Sequence, residues 1–200
     1  MERMINDKKL KQIKEDVLIC QKCDLYKERN NNEFQPVIGE GNHEAKIMFI
    51  GEAPGLQEAK TGRPFCGRAG QILNELLMSV GINREDVYIA NLLKCRPPAN
   101  RDPLPDEIQI CSHFVEAQIE IIKPRVICPL GRYSMKFLME KFGLSDKVDS
   151  ISKIHGQRFE CQEEFKDIVI IPFYHPAVVA YNPPMKKILL NDFKILEKFK

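Results

Sequence analysis

Four short apolar runs constrain the fold of this 200-residue chain more than any other feature. The runs are Ile47–Ile50, Val87–Ala90, Val126–Leu130 and Ile168–Phe173. Each run is followed within three residues by Gly, Pro or Asn, and helical patterns lie between them at 71–80 and 106–122. Continuous apolar strands that alternate with helices are typical of a parallel sheet with both faces covered. The sequence therefore predicts an α/β fold.

The two ends of the chain have weaker patterns. Residues 7–19 carry apolar side chains at helical spacing, and 185–199 predict a closing amphipathic helix. Residues 24–45 are polar and rich in Asn, which indicates an irregular approach to the core. Because no repeat or low-complexity linker interrupts the chain, we expect one domain over residues 1–200.

Composition excludes several classes of protein. The chain is 44% hydrophobic and 29% charged, as globular proteins are. No apolar run approaches the roughly 18 residues of a membrane span, and the polar start does not resemble a signal peptide. Seven cysteines without a mark of secretion favour a reducing cytoplasm over a disulfide framework. The net charge of +2 neither supports nor excludes a DNA partner.

Unusual polar residues follow all four predicted strands. The sequence GEAPG (51–55) follows the first, Asn91 the second, Gly131-Arg132 the third and His175-Pro176 the fourth. In open α/β sheets, ligands bind at the carboxyl ends of the strands. We therefore expect these residues to meet at one ligand site.

The segment TGRPFCGRAG (61–70) precedes a predicted helix and offers three glycines and two arginines, a composition suited to binding anions. It lacks the Lys-Ser/Thr ending of a P-loop, which argues against nucleoside triphosphates. Phe65 in this polar setting predicts a stacking surface, with an ordinary core anchor as the alternative. Further along the chain, basic residues interleave with the strand-end motifs as phosphate contacts would. The basic residues of both groups are Arg63, Arg68, Lys94, Arg96 and Arg101.

Two strand-end side chains suit recognition of a base. The amide of Asn91 offers one donor and one acceptor, the complement of a pyrimidine's imide edge. An imidazole donor at His175 could stabilise charge that develops on a leaving group. A turn cap and a structural histidine are the respective alternatives.

Four of the seven cysteines fall into two spaced groups. They are Cys20, Cys23, Cys95 and Cys111. Four thiolates can hold a tetrahedral zinc ion or an iron–sulfur cluster, and the spacing does not separate the two. The wide gap between the groups argues against a small zinc finger, and unrelated core thiols are the remaining alternative. Cys66, Cys128 and Cys161 have no pairing pattern and are interpreted as structural.

Taken together, these motifs resemble the family 4 uracil-DNA glycosylases, the type that carries a [4Fe–4S] cluster. The resemblance runs from Cys20 to about Pro183. It rests on the segments 51–55 and 62–70, on NLLKCRPPANR (91–101), on His175-Pro176-Ala177 and on the cysteine spacing. It implies a three-layer α/β/α sandwich with a central four-stranded parallel sheet. It also implies hydrolysis of the N-glycosidic bond of deoxyuridine, which releases uracil, leaves an abasic site and initiates base excision repair.

The resemblance also implies roles for individual residues. It assigns uracil binding to Glu52, Ala53, Gly55, Glu58, Phe65, Asn91 and His175. Among these, Phe65 would stack on the flipped base, Asn91 would read its polar edge and His175 would stabilise the uracil anion. Glu52 would position the attacking water, which makes it and His175 the catalytic pair, and Glu58 would support the pocket. Gly55 stands where family 1 enzymes place an aromatic that blocks thymine, and we expect Glu58 to take over that task.

Contacts beyond the pocket follow from the same resemblance. It places DNA contacts at Arg68, Arg96, Asn100, Arg101, Pro176 and Ala177. It implies that Cys20, Cys23, Cys95 and Cys111 hold the [4Fe–4S] cluster. We expect a cytoplasmic, nucleoid-associated monomer whose partner is uracil-containing DNA, single- or double-stranded. A sliding clamp is a further candidate partner. The rival interpretations are a sister glycosylase with broader base preference and a non-catalytic iron–sulfur module that binds DNA.

Overall fold

The computed structural model describes residues 2–161 and 165–199 and contains one six-stranded sheet with the order β1-β3-β2-β4-β6-β5. The strands are β1 (Glu40–Gly41), β2 (Ile47–Gly51), β3 (Tyr88–Asn91), β4 (Val126–Pro129), β5 (Phe159–Glu160) and β6 (Val169–Ile170). The four inner strands pair in parallel, whereas β1 and β5 add antiparallel at the two edges. The predicted four-stranded parallel sheet is confirmed, and the two edge strands extend it.

The fourth predicted strand is shorter than the sequence indicates. Of the apolar run Ile168–Phe173, only Val169–Ile170 pairs continuously with β4, and Phe173 forms an isolated bridge to Leu130. Between these two places the N–H groups of Ile171 and Phe173 still donate to the carbonyls of Ile127 (3.0 Å) and Pro129 (2.9 Å), but Pro129 of β4 has no N–H to donate in return. The parallel direction nevertheless persists to Phe173, so the chain still reaches the carboxyl edge of the sheet.

Nine α-helices lie in the described ranges. They are α1 (Glu2–Ile19), α2 (Leu25–Asn31), α3 (Leu56–Thr61), α4 (Arg68–Ser79), α5 (Pro105–Ile122), α6 (Arg132–Lys141), α7 (Ile151–Ile154), α8 (Val178–Tyr181) and α9 (Met185–Phe193). The predicted closing helix therefore ends early, and Lys194–Phe199 continues as a 3-10 helix. None of these helices combines the length and apolar character needed to span a membrane.

The expectation that residues 24–45 are irregular is wrong in part, because this segment contains α2 and β1. Tertiary contacts explain helix α2 better than local propensity does. Leu25 is buried, and the guanidinium of Arg29 donates to the carbonyl oxygens of Val17 (3.2 Å) and Cys20 (3.2 Å). A polar segment can therefore become helical because one buried arginine ties it to the end of α1.

Two separate cores cover the two faces of the sheet. Met48 and Ile50 of β2 pack with residues of α1, α5 and α6, whereas Phe49 between them packs with α4 and α9. Successive side chains of a strand point to opposite faces, so one apolar strand supplies both cores. The three-layer α/β/α arrangement is confirmed, and it leaves the carboxyl ends of the parallel strands open to solvent.

Candidate functional site

A cavity of about 290 Å³ lies at the carboxyl ends of the parallel strands, and we call it the strand-end cavity. The segments that follow β2, β3 and β6 all contribute to its wall. Its lining includes all seven residues that the sequence associates with a base, namely Glu52, Ala53, Gly55, Glu58, Phe65, Asn91 and His175. The structure therefore brings together side chains that lie up to 123 positions apart, from Glu52 to His175.

Asn91, the last residue of β3, presents an unsatisfied polar atom. Its side chain is 1% exposed, and its Oδ1 has no hydrogen-bond partner within the described part of the chain. Leaving a buried acceptor unpaired costs on the order of 1–3 kcal/mol, which a ligand with a matching N–H donor would recover. The imide N–H of a pyrimidine is such a donor.

Gly51 makes room for this amide. It pairs with Asn91 in the parallel register of β2 and β3. A Cβ on Gly51 would lie 2.3 Å from Asn91 Oδ1 and 2.8 Å from Cζ of Phe65. No larger residue fits without displacing both groups, so the glycine sets the depth of the cavity floor.

Phe65 forms a ring surface beside His175. The two ring centroids are 5.5 Å apart, with an angle of 29° between the planes. Phe65 has a φ of +47°, a conformation that non-glycine residues rarely adopt. Its carbonyl packs against Gly70, where a Cβ would come within 1.7 Å of the oxygen. The loop is thus held in a strained form that turns the ring toward the cavity.

The carboxylate of Glu58 fastens that loop. Its Oε1 accepts hydrogen bonds from the backbone N–H groups of Cys66 (3.0 Å) and Gly67 (2.9 Å). Its Oε2 lies 2.6 Å from the position that a Cβ on Gly55 would occupy. Glu58 therefore fills the space beside Gly55 that a larger residue at position 55 would otherwise take.

His175 is a neutral hydrogen-bond donor. Burial lowers the pKa of its ring to about 4, although the nearby negative charge of Glu58 acts in the opposite direction. Its Nδ1 accepts the backbone N–H of Ala177 at 3.2 Å, so the ring proton of the neutral form resides on Nε2. An uncharged imidazole in this tautomer can donate one hydrogen bond to a carbonyl or enolate oxygen of a ligand.

Glu52 is oriented by the start of helix α6. Its Oε1 accepts the backbone N–H of Tyr133 at 2.9 Å. Gly131, with a φ of +102°, allows this approach because a Cβ there would lie 2.4 Å from the same oxygen. Burial raises the pKa of Glu52; the Tyr133 N–H opposes that shift, and the charges of Asp102 and Arg132 partly cancel.

A second, much smaller cavity of about 20 Å³ is lined in part by Lys94 and Cys95, which follow β3. All four cysteines of the two spaced groups line it, namely Cys20, Cys23, Cys95 and Cys111. Burial raises the pKa of Cys95 to about 11 and of Cys111 to about 12. Arg29 donates to Cys95 Sγ at 3.8 Å. Among residues 2–161 and 165–199, no three His, Cys, Asp or Glu side chains form a group that could hold a single metal ion.

Comparison with known proteins establishes the family. Residues 38–194 match the profile of the Uracil DNA glycosylase superfamily. The chain belongs to this superfamily. It is 46% identical to a type-4 uracil-DNA glycosylase of Sulfurisphaera tokodaii over 92% of this chain and 82% of that protein. Type-4 uracil-DNA glycosylases of Archaeoglobus fulgidus (44% identity, 92% of this chain, 90% of theirs) and Thermotoga maritima (43%, 94% and 92%) are similarly close.

Residues assigned to DNA lie at or near the mouth of the cavity. Asn100, Arg101 and Ala177 line it, whereas Arg68 is exposed at the start of α4 and Pro176 is buried. Two of the arginines are occupied within the chain. Arg96 donates to Asn100 Oδ1 at 2.7 Å, and Arg101 pairs with both oxygens of Glu107 at 2.5 and 2.9 Å. These pairs fix the shape of the loop that follows β3.

The interpretation of Lys94 as a phosphate contact is wrong. Its side chain is 1% exposed, and its ammonium group is hydrogen-bonded inside the protein. Burial lowers its pKa to about 8, with the nearby Cys111 thiol acting in the opposite direction. Arg63, also interpreted as a phosphate contact, pairs with Glu40 at 2.9 Å. The sequence could not separate these two from solvated loop charges.

Two polar residues of the cavity lining are absent from the sequence-based set. Tyr181, at the end of α8, lines the cavity and is 89% exposed. Asp102 lines it too and bridges to Arg132 at 2.5 Å, and the charges of both residues act on the pKa of Glu52. Helix α8 has only four residues, too few for a periodic pattern. The sequence pattern did single out Gly131-Arg132 after the third strand. It therefore pointed to Arg132, one partner of this ion pair, but not to Asp102.

Proposed function

We propose that this protein hydrolyses the N-glycosidic bond of deoxyuridine in DNA, which releases uracil, leaves an abasic site and initiates base excision repair. The observation that carries the proposal is the buried, unpaired Oδ1 of Asn91 on the floor of the strand-end cavity. The printed names of the relatives, type-4 uracil-DNA glycosylases, support the same activity. The cavity would admit a base that has left the helical stack, as enzymes that act on bases require.

Recognition of uracil follows from the geometry of the floor. The ring of Phe65 stacks on the extruded base, while Oδ1 of Asn91 accepts its imide N–H and the amide nitrogen donates to an adjacent carbonyl. Cytosine presents an acceptor nitrogen in place of that N–H. The same amide oxygen then meets a lone pair, so cytosine leaves a buried acceptor unsatisfied.

Bond cleavage depends on stabilising uracil as it leaves with negative charge. Nε2–H of His175 donates to the oxygen on which that charge accumulates, in a site from which water is largely excluded. A single donor of this kind is worth about 100- to 1000-fold in rate. Glu52, held by the Tyr133 N–H, orients the water that attacks the sugar carbon. The proton of that water passes to the carboxylate or to solvent once the C–O bond has formed.

We assign the four cysteines to a [4Fe–4S] cluster. An all-cysteine donor set suits both zinc and iron–sulfur chemistry. A single zinc ion needs its sulfur ligands about 2.3 Å from one point, whereas a cluster binds each thiolate to a separate iron. The four thiols line one cavity, and the type-4 names of the relatives favour the cluster over zinc. When bound, it would act structurally and hold the loop 95–101 against the body of the protein.

The first test is cleavage of a labelled oligonucleotide with one uracil, followed by alkali. We expect strand scission with the wild type and at least about 100-fold less with Asn91→Ala or His175→Ala. Asn83→Ala and His113→Ala, which lie outside the cavity, are matched controls and should retain activity. Equal scission by all variants would overturn the site. DNA binding without scission would instead indicate the non-catalytic module.

The cofactor is tested separately. Purified protein should be brown and contain iron and acid-labile sulfide in equal amounts. Colourless protein with stoichiometric zinc would reject the cluster, and it would leave the assignment of uracil recognition to the strand-end cavity standing.

A further inference from the structure

Lys94 is the most completely buried charge in the neighbourhood of the strand-end cavity. It stands between Asn91, which ends β3, and Cys95, and its side chain is 1% exposed. Its Nζ donates to the carbonyl oxygens of Ile38 (3.1 Å) and Asn91 (2.9 Å) and to Oε1 of Gln118 (2.8 Å). An ammonium group has three hydrogens, so every donor of Lys94 is used.

The acceptors of this ammonium group are themselves fixed. The Nε2 of Gln118 donates to the Ile38 carbonyl at 2.9 Å and to the hydroxyl of Tyr88 at 3.1 Å. The backbone of Lys94 is anchored as well, since its N–H points at Cys111 Sγ (3.3 Å) and its carbonyl accepts the N–H of Val37 (2.7 Å). A satisfied buried network of this kind is rigid, because any shift of one member leaves another unpaired.

We propose that Lys94 is a positioning residue for uracil recognition: its ammonium group fixes the carbonyl of Asn91 and thereby holds the side-chain amide of Asn91 in place. The inference rests on the proposed function and adds a residue that never touches the base. The Oδ1 of Asn91 accepts no hydrogen bond from a described residue that could hold the amide. Its orientation therefore depends on the backbone, which Lys94 anchors, and on the bare surface of Gly51.

The N–H groups of the two residues after Asn91 donate to other carbonyls, so the Asn91 carbonyl is left to accept from Lys94. Beyond β3, the N–H groups of Leu92 and Leu93 bond to the carbonyls of Gly51 (3.0 Å) and Glu52 (3.0 Å). These bonds keep the chain in register with the end of β2. The Asn91 carbonyl receives the Lys94 ammonium instead, so a side chain three residues downstream closes the turn.

The test is a double-mutant cycle that combines Lys94→Met with Asn91→Ala. We expect Lys94→Met alone to lower the single-turnover rate of uracil release by about 100-fold, the size of effect that a 1 Å misplacement can produce. In the Asn91→Ala background the same change should have almost no further effect, because Lys94 acts through that residue. If the rate losses of the two single variants instead multiply in the double variant, the proposal is wrong. Tyr88→Phe, which disturbs the network at Gln118 only, is the matched control and should keep most of the rate.

A crystal structure of Lys94→Met separates this proposal from the proposed function. We expect the Asn91 amide to be rotated or shifted relative to the wild type, whether or not the wild type releases uracil. An unchanged amide would refute the positioning role, whereas wild-type protein that fails to release uracil would refute only the function. If Lys94→Met does not fold, Gln118→Leu removes one acceptor and leaves the ammonium in place. It should lower the rate by about 10-fold, again only when Asn91 is present.

Discussion

The two ends of the sheet each carry a cavity, and the two differ in a way that favours one of them as the proposed ligand site. At the amino ends of β2, β4 and β6 lies a basal cavity of about 710 Å³, lined by seven Lys or Arg and three Asp or Glu side chains. Charges there are paired or exposed: Lys141 bonds Glu116 at 2.7 Å and Arg158 bonds Glu160 at 2.8 Å. The strand-end cavity is less than half as large at about 290 Å³.

The strand-end cavity differs from the basal cavity in two polar groups, one without a hydrogen-bond partner among the described residues and one without a charge. Asn91 has a buried oxygen without a partner in the described ranges, and the half-buried ring of His175 is uncharged. Such groups are costly in an empty cavity and favourable only when a complementary ligand arrives. Volume and charge alone would therefore favour the basal cavity, whereas the unpaired buried oxygen of Asn91 favours the strand-end cavity, where we propose that uracil binds.

The largest effect that sharpens this contrast is expected from Gly51→Ala. The added Cβ would collide with Asn91 Oδ1 and the Phe65 ring and displace both recognition groups. We expect the single-turnover rate of uracil release to fall at least about 100-fold. The melting temperature should fall only modestly, so that the variant remains folded during the assay. Gly62→Ala, which strains the backbone at a φ of +71° but meets nothing closer than 3.4 Å, controls for a loss of stability without a collision at Asn91. A fully active Gly51→Ala variant would mean that the floor adapts, and the argument from preformed groups would fail.

A pH profile measures the two titratable groups of the same cavity that act in the proposed reaction, Glu52 and His175. Glu52 has to be ionised to orient water, and burial raises its pKa above the ordinary value. The value of kcat/KM should therefore fall about 10-fold per pH unit once the pH drops below that pKa. His175, whose pKa is lowered to about 4, adds a second loss only near that pH. Glu52→Gln should lack the first step, whereas a step at the ordinary histidine pKa would contradict a neutral His175.

A smaller effect concerns discrimination against the thymine methyl group. Glu58 Oε2 fills the space next to Gly55, so Glu58→Ala should open it. We expect thymine release from T·G duplexes to rise about 10-fold relative to uracil release, the scale on which one methyl group is discriminated. Total activity should fall as well, because the Phe65 loop loses two hydrogen bonds. Glu58→Gln keeps the bulk and serves as control; rejection of thymine by Glu58→Ala as complete as in the wild type would exclude this role.

The smallest effect is expected at the basal cavity. Lys123→Ala combined with Arg125→Ala removes two exposed cations from its rim. Uracil release should stay within about twofold of the wild type, as is usual for surface substitutions away from a site. A large loss in this variant would break the comparison and give the basal cavity a part in the reaction.

Sequence reasoning succeeded where a pattern was long or local. The buried runs at β2, β3 and β4 and the periodic faces of α4 and α5 predicted the central layers. The convergence of polar residues followed from the rule that parallel strands end at one edge. Helix α2 was missed because its stability depends on Arg29, whose acceptors on Val17 and Cys20 lie outside the helix.

Failures in the site have the same origin. Lys94 was indistinguishable from a solvated lysine, because its three acceptors come from the segment before β1, from β3 and from α5. Tyr181 lies in a helix of one turn, where hydrophobic periodicity carries no information. Interactions between segments distant in the chain decide both cases, and no local pattern reports them.

The two edge strands have a consequence for how the protein behaves when crowded or partly unfolded. Strands β1 and β5 are each two residues long and antiparallel to their neighbours. Long, flat sheet edges are templates on which strands of other molecules add and begin aggregates. Each edge of this sheet offers a foreign strand only two residues of backbone, so edge-to-edge aggregation has little on which to start.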